Sequence, residues 1–590
     1  MRKLSSSTRT ALVAVLALTV TGTLVTVAVA TSKDDLTSTD GSRSAAVATD
    51  QRSVTHDENK RVPKGSRWTQ HYFPSADKSK TELHADVLLP EKLPKGKKLP
   101  VILMVSSYFG HAGELKDERQ PHTGPSDRFA DLFEGADLFR QGYAVVMVDS
   151  RGFGGSSGCF DYGGLGELAD VSAAIDWSAG QPWSTGAVGM YGKSFDAWTG
   201  LLGNNTKKKA LKAVVAQEPI WNLYQHSHSN GVTRSNGIIA PSTYNEIANI
   251  TPLPDDDKRY RKNATYELKH PECAATPVLA GTVDAGDPFW TQRDAVAGAK
   301  GTDTPLLFTQ GLTENNTKPL GMEEYLANHR GVERGWIGPW DHVRGNERGA
   351  DGKLAMGREG WLKETMAFFD EHLKGRKPAK PLPNYVIQDN SGKWREEKTW
   401  PSTLTTPTLA LKGGRYTDIG SGSDPKRDAE RAARLGAPSF LVRSEPVARD
   451  VRVSGAPSLT MTASGTGNVM VRLYDVAADG TGVAFNEQVA RVEGKRLKLD
   501  LKSSDWTLKK GHQLAVQFGT VNAPNWIDSP SEQKISVKDA KLSLPLADPS
   551  KDRGTQGDPA PFLAQYVKIN TAELKKTPAT FSLPAVGSGG

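Results

Sequence analysis

Ser194 has the setting of a nucleophile. It lies in the run Gly189-Met190-Tyr191-Gly192-Lys193-Ser194-Phe195-Asp196-Ala197-Trp198. The apolar residues before it predict a buried strand and those after it predict the start of a helix, so the serine occupies a strand-to-helix turn. Such a turn exposes the hydroxyl above the sheet, facing the N–H of Phe195 and the positive end of the helix. Asp196 stands where a Gly-x-Ser-x-Gly elbow has its second glycine, so this fragment alone is a weak signal for catalysis.

His342 is the predicted general base. A serine hydroxyl needs a histidine to take its proton, and the histidine needs a carboxylate to orient it. In α/β hydrolases both follow the serine on loops after later strands, the acid first. His342 follows the strand-like residues 335–337, about 150 residues after Ser194. Four other histidines are less well placed, three in a predicted cap and one in a helical run: His226, His228, His270 and His329.

Glu314 is the predicted acid. It lies a few residues beyond the apolar strand 305–308, where the orienting carboxylate is expected. Asp284 and Asp287 are the rivals, but they precede that strand and therefore belong one strand too early.

Tyr108 is a candidate donor to the oxyanion of an acyl-transfer intermediate. It follows the buried strand 99–105, and the loop after this strand supplies such donors in hydrolases. Its phenolic O–H would act beside the N–H of Phe195. The alternative is a tyrosine that packs at a sheet edge.

The elements around these residues predict two domains. Apolar strands alternate with helices from residue 63 to 399, which indicates a mostly parallel sheet covered on both faces. Regularity fades at about 221–301, and this stretch is predicted to be a cap over the C-terminal edge of the sheet. From 400 to 590 short alternating strands predict an all-β sandwich or jelly roll.

The N-terminus predicts a secreted protein. Arg2 and Lys3 precede an apolar run that ends at the small-x-small site Ala28-Val29-Ala30. Residues 1–30 are therefore a predicted signal peptide, with Ala46-Val47-Ala48 as a second possible cleavage site and an uncleaved anchor as the alternative. Residues 31–62 are polar and predict a flexible lead. No stable membrane insertion is expected after cleavage, and the predicted location is extracellular.

Composition narrows the function classes. Of the 590 residues 37% are hydrophobic and 24% charged, which is typical of a soluble globular protein. A net charge of +7 without a basic stripe gives no reason to expect nucleic acid. No phosphate-binding loop or metal-ligand spacing appears, so neither cofactor nor metal is predicted. Cys159 and Cys273 are equally compatible with a disulfide and with two thiols. The oligomeric state cannot be read from the sequence.

An ordered series of motifs runs through the chain. It comprises Asp149-Ser150-Arg151-Gly152-Phe153-Gly154 with Ser156-Ser157-Gly158, Trp177 with Gln181-Pro182-Trp183, residues 189–195, Phe289-Trp290 with Arg293-Asp294, Gly311-Leu312-Thr313-Glu314, Gly338-Pro339-Trp340-Asp341-His342, and Lys393-Trp394 with Trp400-Pro401. This series resembles the X-prolyl dipeptidyl-peptidase and cocaine-esterase-like family of serine hydrolases. The resemblance covers roughly residues 65 to 545.

The resemblance implies an α/β-hydrolase fold with a helical cap insertion, followed by a C-terminal jelly roll. The family elbow is Gly-x-Ser-Tyr-x-Gly, so Phe195 replaces the tyrosine, Ala197 replaces the later glycine, and Asp196 occupies a variable position. It also implies that Ser194 is the nucleophile, His342 the base, and Tyr108 the oxyanion donor beside Phe195. Glu314 stands where the family has aspartate.

The leading hypothesis is a secreted serine hydrolase that releases X-Pro dipeptides from peptide N-termini. An esterase or amide acylase acting on small acyl substrates is the alternative, and an inert hydrolase fold that binds a ligand is a remote one. A dipeptidyl-peptidase needs an anion to hold the substrate amine. Four acidic residues are candidates that the sequence cannot rank: Asp161, Glu218, Glu272 and Asp287.

Overall fold

The structure is a computed structural model that describes residues 52–116, 118–421, 424–521 and 525–586. The predicted signal peptide and residues 31–51 of the predicted lead lie outside the described residues. Among the described helices, none combines the length and apolar character that a bilayer span requires.

Strands alternate with helices in the first part of the chain. The elements are β1 (Val54–Thr55), β2 (Ser66–Pro74), β3 (Glu82–Pro90), β4 (Leu99–Ser106), α1 (Ala130–Gly135), β5 (Ala144–Asp149), α2 (Leu165–Gly180), β6 (Ser184–Lys193), α3 (Phe195–Asn205) and β7 (Leu211–Gln217). Every residue of β4 and β5 is buried. Central parallel strands are covered on both faces, which explains why they appear as unbroken apolar runs in the sequence.

A mainly helical insertion follows β7. It contains α4 (Leu223–Ser227), β8 (His228–Ser229), β9 (Val232–Thr233), α5 (Asn236–Ala248), α6 (Lys258–Asn263), α7 (Ala275–Thr282), α8 (Pro288–Thr291) and α9 (Ala295–Gly298), with 3-10 turns at Glu267–Lys269 and Pro271–Ala274. We call residues 221–301 the cap. A disulfide between Cys159 and Cys273 ties the cap to the segment after β5, which answers the question that the sequence left open.

The strand and helix pattern then resumes. It comprises β10 (Leu306–Gly311), α10 (Met322–Asn328), β11 (Glu333–Gly338), α11 (Trp361–Lys374), β12 (Tyr385–Gln388) and β13 (Trp394–Glu397). Helix α11 buries apolar residues that recur at helical spacing in its sequence, including Trp361, Met366, Phe369 and Leu373.

The C-terminal part is mostly β-structure. Its elements are β14 (Thr408–Leu411), β15 (Gly414–Thr417), α12 (Pro425–Leu435), β16 (Ser439–Ser444), β17 (Val451–Gly455), β18 (Ser458–Ser464), β19 (Thr466–Val476), β20 (Thr481–Glu493), β21 (Arg496–Asp500), β22 (Ser504–Leu508), β23 (Gln513–Gly519), β24 (Lys534–Ser543), β25 (Leu546–Ala547), β26 (Arg553–Thr555), α13 (Pro561–Asn570), β27 (Thr571–Glu573) and β28 (Ala579–Phe581), with a 3-10 turn at Pro549–Lys551. We call this part the β domain.

Two sheets of the β domain share one core. One has the order β14-β24-β18-β21 with β15 beside β24, and the other has the order β27-β20-β19-β23-β16-β28. Leu459 and Leu542 of the first sheet pack in the same cluster as Val471 and Val516 of the second. Alternation of buried and exposed residues along β18 and β24 places one face of each strand in this core. The C-terminal region is therefore an all-β domain, and the jelly-roll strand order stays a prediction.

The sheet of the first domain has twelve strands in the order β1-β2-β3-β5-β4-β6-β7-β10-β11-β12-β13-β26. From β5 to β12 all neighbours are parallel. The C-terminal ends of these strands therefore meet at one edge of the sheet, where α/β proteins place their functional loops.

Two details depart from the predicted division of the chain. Strand β1 pairs with β2, and Val62 is fully buried, so residues 52–62 belong to the fold rather than to a flexible lead. Strand β26 leaves the β domain and pairs with β13 at the edge of the first sheet. Val62 packs in a core cluster with Phe109 and Phe129, and β26 pairs with a strand far away in the chain, so local composition reveals neither.

Candidate active site

Ser194 occupies the sharp turn between β6 and α3. Its backbone has φ 66° and ψ −121°, a conformation that an L-residue adopts only when its surroundings hold it. The Ser194 N–H donates to the carbonyl of Gln217 at 2.9 Å, and the Ser194 carbonyl accepts from the N–H of Trp198 at 2.9 Å. A Cβ atom at Gly192 would lie 2.3 Å from the carbonyl of Asp196, so only glycine allows this turn.

Asp196 has a structural role that the sequence did not reveal. Its side chain is buried, accepts a short hydrogen bond from Ser106 Oγ, and accepts another from Arg128 Nε at 2.7 Å. The guanidinium of Arg128 lies 4.2 Å from the ring centre of Tyr108. Asp196 therefore fixes the loop of Tyr108 to the first turn of α3, where an elbow glycine could make no such bond.

Glu314 and His342 are brought together on the loops after β10 and β11. His342 Nδ1 lies 2.9 Å from Glu314 Oε2, and Thr317 Oγ1 donates a short hydrogen bond to Glu314 Oε1. The Glu314 side chain is fully buried, whereas that of His342 is 16% exposed. Because Nδ1–H donates to the carboxylate, Nε2 keeps the lone pair that can take a proton.

Most of the rival acids and histidines have other partners. Asp287 caps α8 by accepting from the N–H of Phe289, and Asp284 is exposed in the cap. His228 stacks on Tyr224, His270 stacks on Tyr266, and His329 Nδ1 lies 2.9 Å from Glu333. His226 lines the same pocket as Ser194, and burial lowers its pKa to about 3, so it stays neutral.

Tyr108 faces the cap across the same pocket. Its hydroxyl lies 3.3 Å from the hydroxyl of Tyr244 in α5, and burial raises its pKa, so it stays protonated. Phe195 begins α3, where the helix macrodipole favours negative charge. Both groups lie on the elements that the sequence assigned to them, and their oxyanion role stays a prediction. Tyr244 was not predicted as a site residue, because nothing in the cap sequence indicates which face of α5 lies over Ser194.

A pocket of about 160 Å³ opens at Ser194. Its walls combine apolar and neutral polar side chains and contain no carboxylate; they are formed by Tyr108, Ser194, Ile220, His226, Asn236, Ile239, Ala240, Thr243, Tyr244 and Asn316. Five of these residues belong to α5, so the cap closes the pocket over the serine. The arrangement is suited to a small acyl group without charge.

The four candidate amine-binding acids lie away from this lining. Asp161 pairs with Arg293 at 2.8 Å. Glu218 is fully buried and accepts from the Gly311 N–H at 2.7 Å, and burial raises its pKa to about 8. Glu272 is exposed in the cap, and Asp287 serves as the cap of α8.

The β domain supports the loop that carries Glu314. Lys502, whose side chain is buried, donates from Nζ to the carbonyl of Leu312 at 2.9 Å. At the other end of the loop, Lys318 pairs with Glu487 of β20 at 2.8 Å. The acid is thus positioned from two domains, which no local motif could have indicated.

The fold and this site define a serine hydrolase of the α/β-hydrolase class. Two family models agree with that class: X-Pro dipeptidyl-peptidase (S15 family) matches residues 78–344, and X-Pro dipeptidyl-peptidase C-terminal non-catalytic domain matches residues 378–556. The chain belongs to this X-Pro dipeptidyl-peptidase and cocaine-esterase-like family.

Individual relatives fall on both branches of the family. A putative Xaa-Pro dipeptidyl-peptidase of Streptomyces avermitilis is 26% identical over 447 residues, covering 67% of this chain and 61% of its own length. One from Bacillus anthracis is 23% identical over 80% of this chain and 85% of its own length. The cocaine esterase of Rhodococcus sp. is 23% identical over 66% of this chain and 82% of its own length.

Solved structures agree on the fold. An α-amino acid ester hydrolase aligns with a TM-score of 0.60 at 18% identity, covering 86% of this chain and 100% of its own. A CocE/NonD family hydrolase from Staphylococcus aureus aligns with a TM-score of 0.57 at 16% identity, covering 82% of this chain and 94% of its own. At these identities the likeness concerns the fold alone.

Proposed function

We propose that the protein is an extracellular serine hydrolase that forms an acyl-enzyme on Ser194 and releases X-Pro dipeptides from peptide N-termini. The observation that carries the proposal is the Glu314–His342 pair at 2.9 Å, on the same sheet edge as a serine held at φ 66°. The relatives described as Xaa-Pro dipeptidyl-peptidases support the choice of substrate.

The proposed reaction has two steps. Ser194 Oγ attacks the acyl carbon while His342 Nε2 takes the hydroxyl proton, and the oxyanion binds to Tyr108 O–H and Phe195 N–H. The intermediate collapses, the C–N bond breaks, and His342 returns the proton to the leaving amine. Water then attacks acyl-Ser194 with the same histidine as base, which releases the acid and restores the serine. Glu314 orients the imidazole and stabilises its cationic form.

The pocket suits a prolyl side chain. Ile220, Ile239, Ala240 and Tyr244 offer an apolar surface next to Ser194, in a volume of about 160 Å³. Binding a compact ring there removes apolar area from water and presents the carbonyl of the same residue to the serine.

A second candidate is an esterase or amide acylase that acts on small uncharged acyl groups. The specific observation in its favour is that none of the residues that line the described pocket is acidic. A free substrate amine would be protonated at neutral pH, and taking it out of water without an anion costs several kcal/mol, on the order of the cost for other buried ions.

Export is part of the proposal. A basic start, an apolar run and Ala28-Val29-Ala30 support it, and the disulfide between Cys159 and Cys273 suits an oxidising compartment. N-terminal sequencing of the protein from culture medium tests it, and a chain retained in the cells with Met1 in place would refute export.

The decisive experiment compares Gly-Pro and Ala-Pro p-nitroanilides, each with a free and with a blocked amine, with short-chain p-nitrophenyl esters. Cleavage of the unblocked X-Pro anilides alone supports the dipeptidyl-peptidase. Cleavage of blocked substrates and simple esters instead supports the esterase or acylase. Turnover of neither set, by protein with native circular dichroism, would overturn both and favour an inert binding protein.

A further inference from the structure

Two histidines and an aspartate converge in the buried space between the sheet and the cap. His84 and Asp86 are two residues apart on β3 and point to the same face, and His111 comes from the loop after β4. Each of the three side chains is at most 1% exposed. One ligand-capable atom from each lies within 4.8 Å of the others.

The spacing of these atoms is that of ligands around one metal ion. His111 Nε2 lies 3.2 Å from Asp86 Oδ2, and His84 Nε2 lies 3.7 Å from Asp86 Oδ1. Ligand atoms about 2.0–2.2 Å from a tetrahedral zinc ion are themselves about 3.3–3.6 Å apart.

The far side of each histidine is held by a second carboxylate. His84 Nδ1 lies 2.8 Å from Asp149, and His111 Nδ1 lies 2.8 Å from Asp256. Metal-binding histidines typically donate their other ring N–H to such a carboxylate, which fixes the ring and its tautomer. Trp68 Nε1 orients Asp86 in the same way, by donating to Oδ1 at 2.6 Å.

If both imidazoles are neutral, this arrangement leaves only lone pairs on the inner side. With each Nδ1 proton given to an outer carboxylate, both Nε2 atoms present lone pairs towards the oxygens of Asp86. Gln70 Oε1, 3.2 Å from His84 Nε2, adds a further acceptor. Converging acceptors in a dry interior repel one another unless a cation lies between them. Either one divalent ion or two protons would supply the positive charge that offsets this repulsion.

We propose that His84 Nε2, His111 Nε2 and Asp86 hold one divalent transition-metal ion, zinc above all, with Gln70 Oε1 as the fourth ligand. Imidazole and carboxylate ligands suit zinc, and a site closed by four protein groups is structural rather than catalytic. Asp256 belongs to the cap and accepts from the Leu253 N–H at 2.7 Å, so the ion would tie the cap to the sheet. The proposal is independent of the hydrolase function.

Spacing rules applied to the sequence do not detect such a site. Asp86 and His111 are separated by 25 residues, and the outer carboxylates come from two further segments. No metal was predicted from the sequence, because the chain contains no ligand pattern at short intervals.

Metal content is the first test. The mature protein, purified without chelators, is expected to carry about one zinc equivalent by plasma mass spectrometry. Dialysis against dipicolinate should remove it and lower the Tm by about 5 °C or more, and ZnCl₂ should restore both. Reconstitution with CoCl₂ should give visible d–d absorption.

Variants separate the site from adventitious binding. His84→Ala and His111→Ala should lose the ion, and Asp256→Asn, which keeps an acceptor oxygen, should weaken Co²⁺ affinity by about 10–100-fold. His122→Ala is the matched control, because its side chain is 83% exposed on the same loop; it should keep the ion.

Two results would overturn the proposal. One is less than about a tenth of an equivalent of metal in folded protein, both as purified and after incubation with ZnCl₂, since the cluster then holds protons. The other is metal content that is unchanged in folded His84→Ala or His111→Ala protein. Neither readout depends on substrate turnover, so failure of the hydrolase proposal would be seen separately.

Discussion

Two histidine–carboxylate groups lie at the C-terminal edge of the same sheet and differ in what their histidines can do. His342 has one carboxylate on Nδ1, and its side chain remains 16% exposed. His111 has carboxylates on both ring nitrogens and is fully buried. The same residue types therefore give a partly exposed imidazole with one carboxylate in one place and a buried imidazole between two carboxylates in the other.

The two groups also depend on different parts of the chain. Glu314 is supported from the β domain through Lys502, which contacts Leu312. The His111 cluster is supported from the cap through Asp256. Changes that disturb Glu314 should therefore act on catalysis, and changes at Asp256 should act on stability.

The largest expected effect is that of Ser194→Ala. Removing the nucleophile should lower kcat by about 10⁴-fold or more, because the base then has no hydroxyl to activate. Tm and metal content should be unchanged. Steady-state assays on the best substrate test this, with circular dichroism as the control for folding. Activity within tenfold of the native protein would show that Ser194 is not the nucleophile.

A matched pair of carboxylate-to-amide changes tests the comparison directly. Glu314→Gln should lower kcat by about 10³–10⁴-fold, since the amide stabilises neither the required tautomer nor the imidazolium. Asp256→Asn should leave kcat within about threefold and lower the Tm. Kinetics and calorimetry on both variants provide the measurement. The opposite pattern, with catalysis lost in Asp256→Asn and kept in Glu314→Gln, would exchange the two roles.

Loss of the disulfide should weaken the cap side alone. The bond closes a loop over a separation of 114 residues, for which the chain-entropy model gives about 4–5 kcal/mol. Cys159→Ser should therefore lower the free energy of unfolding by about 2–5 kcal/mol in urea titrations. Dithiothreitol should affect the native protein and leave Cys159→Ser unchanged. Equal stability of the two proteins would mean that the thiols are not paired.

The smallest expected effect is the contribution of Lys502 to the pH dependence of the free energy of unfolding. Burial lowers its pKa to about 7, from an ordinary value of 10.5. Between these values the unfolded chain holds a proton that the folded chain lacks, so this residue makes the free energy of unfolding rise with pH. Below pH 7 both states are protonated and the dependence disappears.

Lys502→Met tests that slope. The difference in unfolding free energy between the native protein and the variant should change from pH 7 to pH 10 and stay constant below pH 7. Lys498→Met, at a side chain that is 67% exposed, is the control and should show no such change. A constant difference across the whole range would contradict the lowered pKa.

The sequence by itself determined the class of fold and the chain order of the groups predicted to be catalytic. Short apolar runs specify central strands, and parallel strands bring the ends that carry Ser194, Glu314 and His342 to one edge of the sheet. The local strand–turn–helix pattern was enough to find the elbow, because its geometry is made by consecutive residues.

Only the tertiary structure decided the rest. The partners of Asp196, the pairing of Cys159 with Cys273 and the neutral pocket under α5 all join segments that are distant in the chain. The His84–Asp86–His111 cluster needs the register of β3, the path of one loop and the packing of the cap at once. Such contacts arise from the packing of whole helices and strands, and local sequence patterns do not specify that packing.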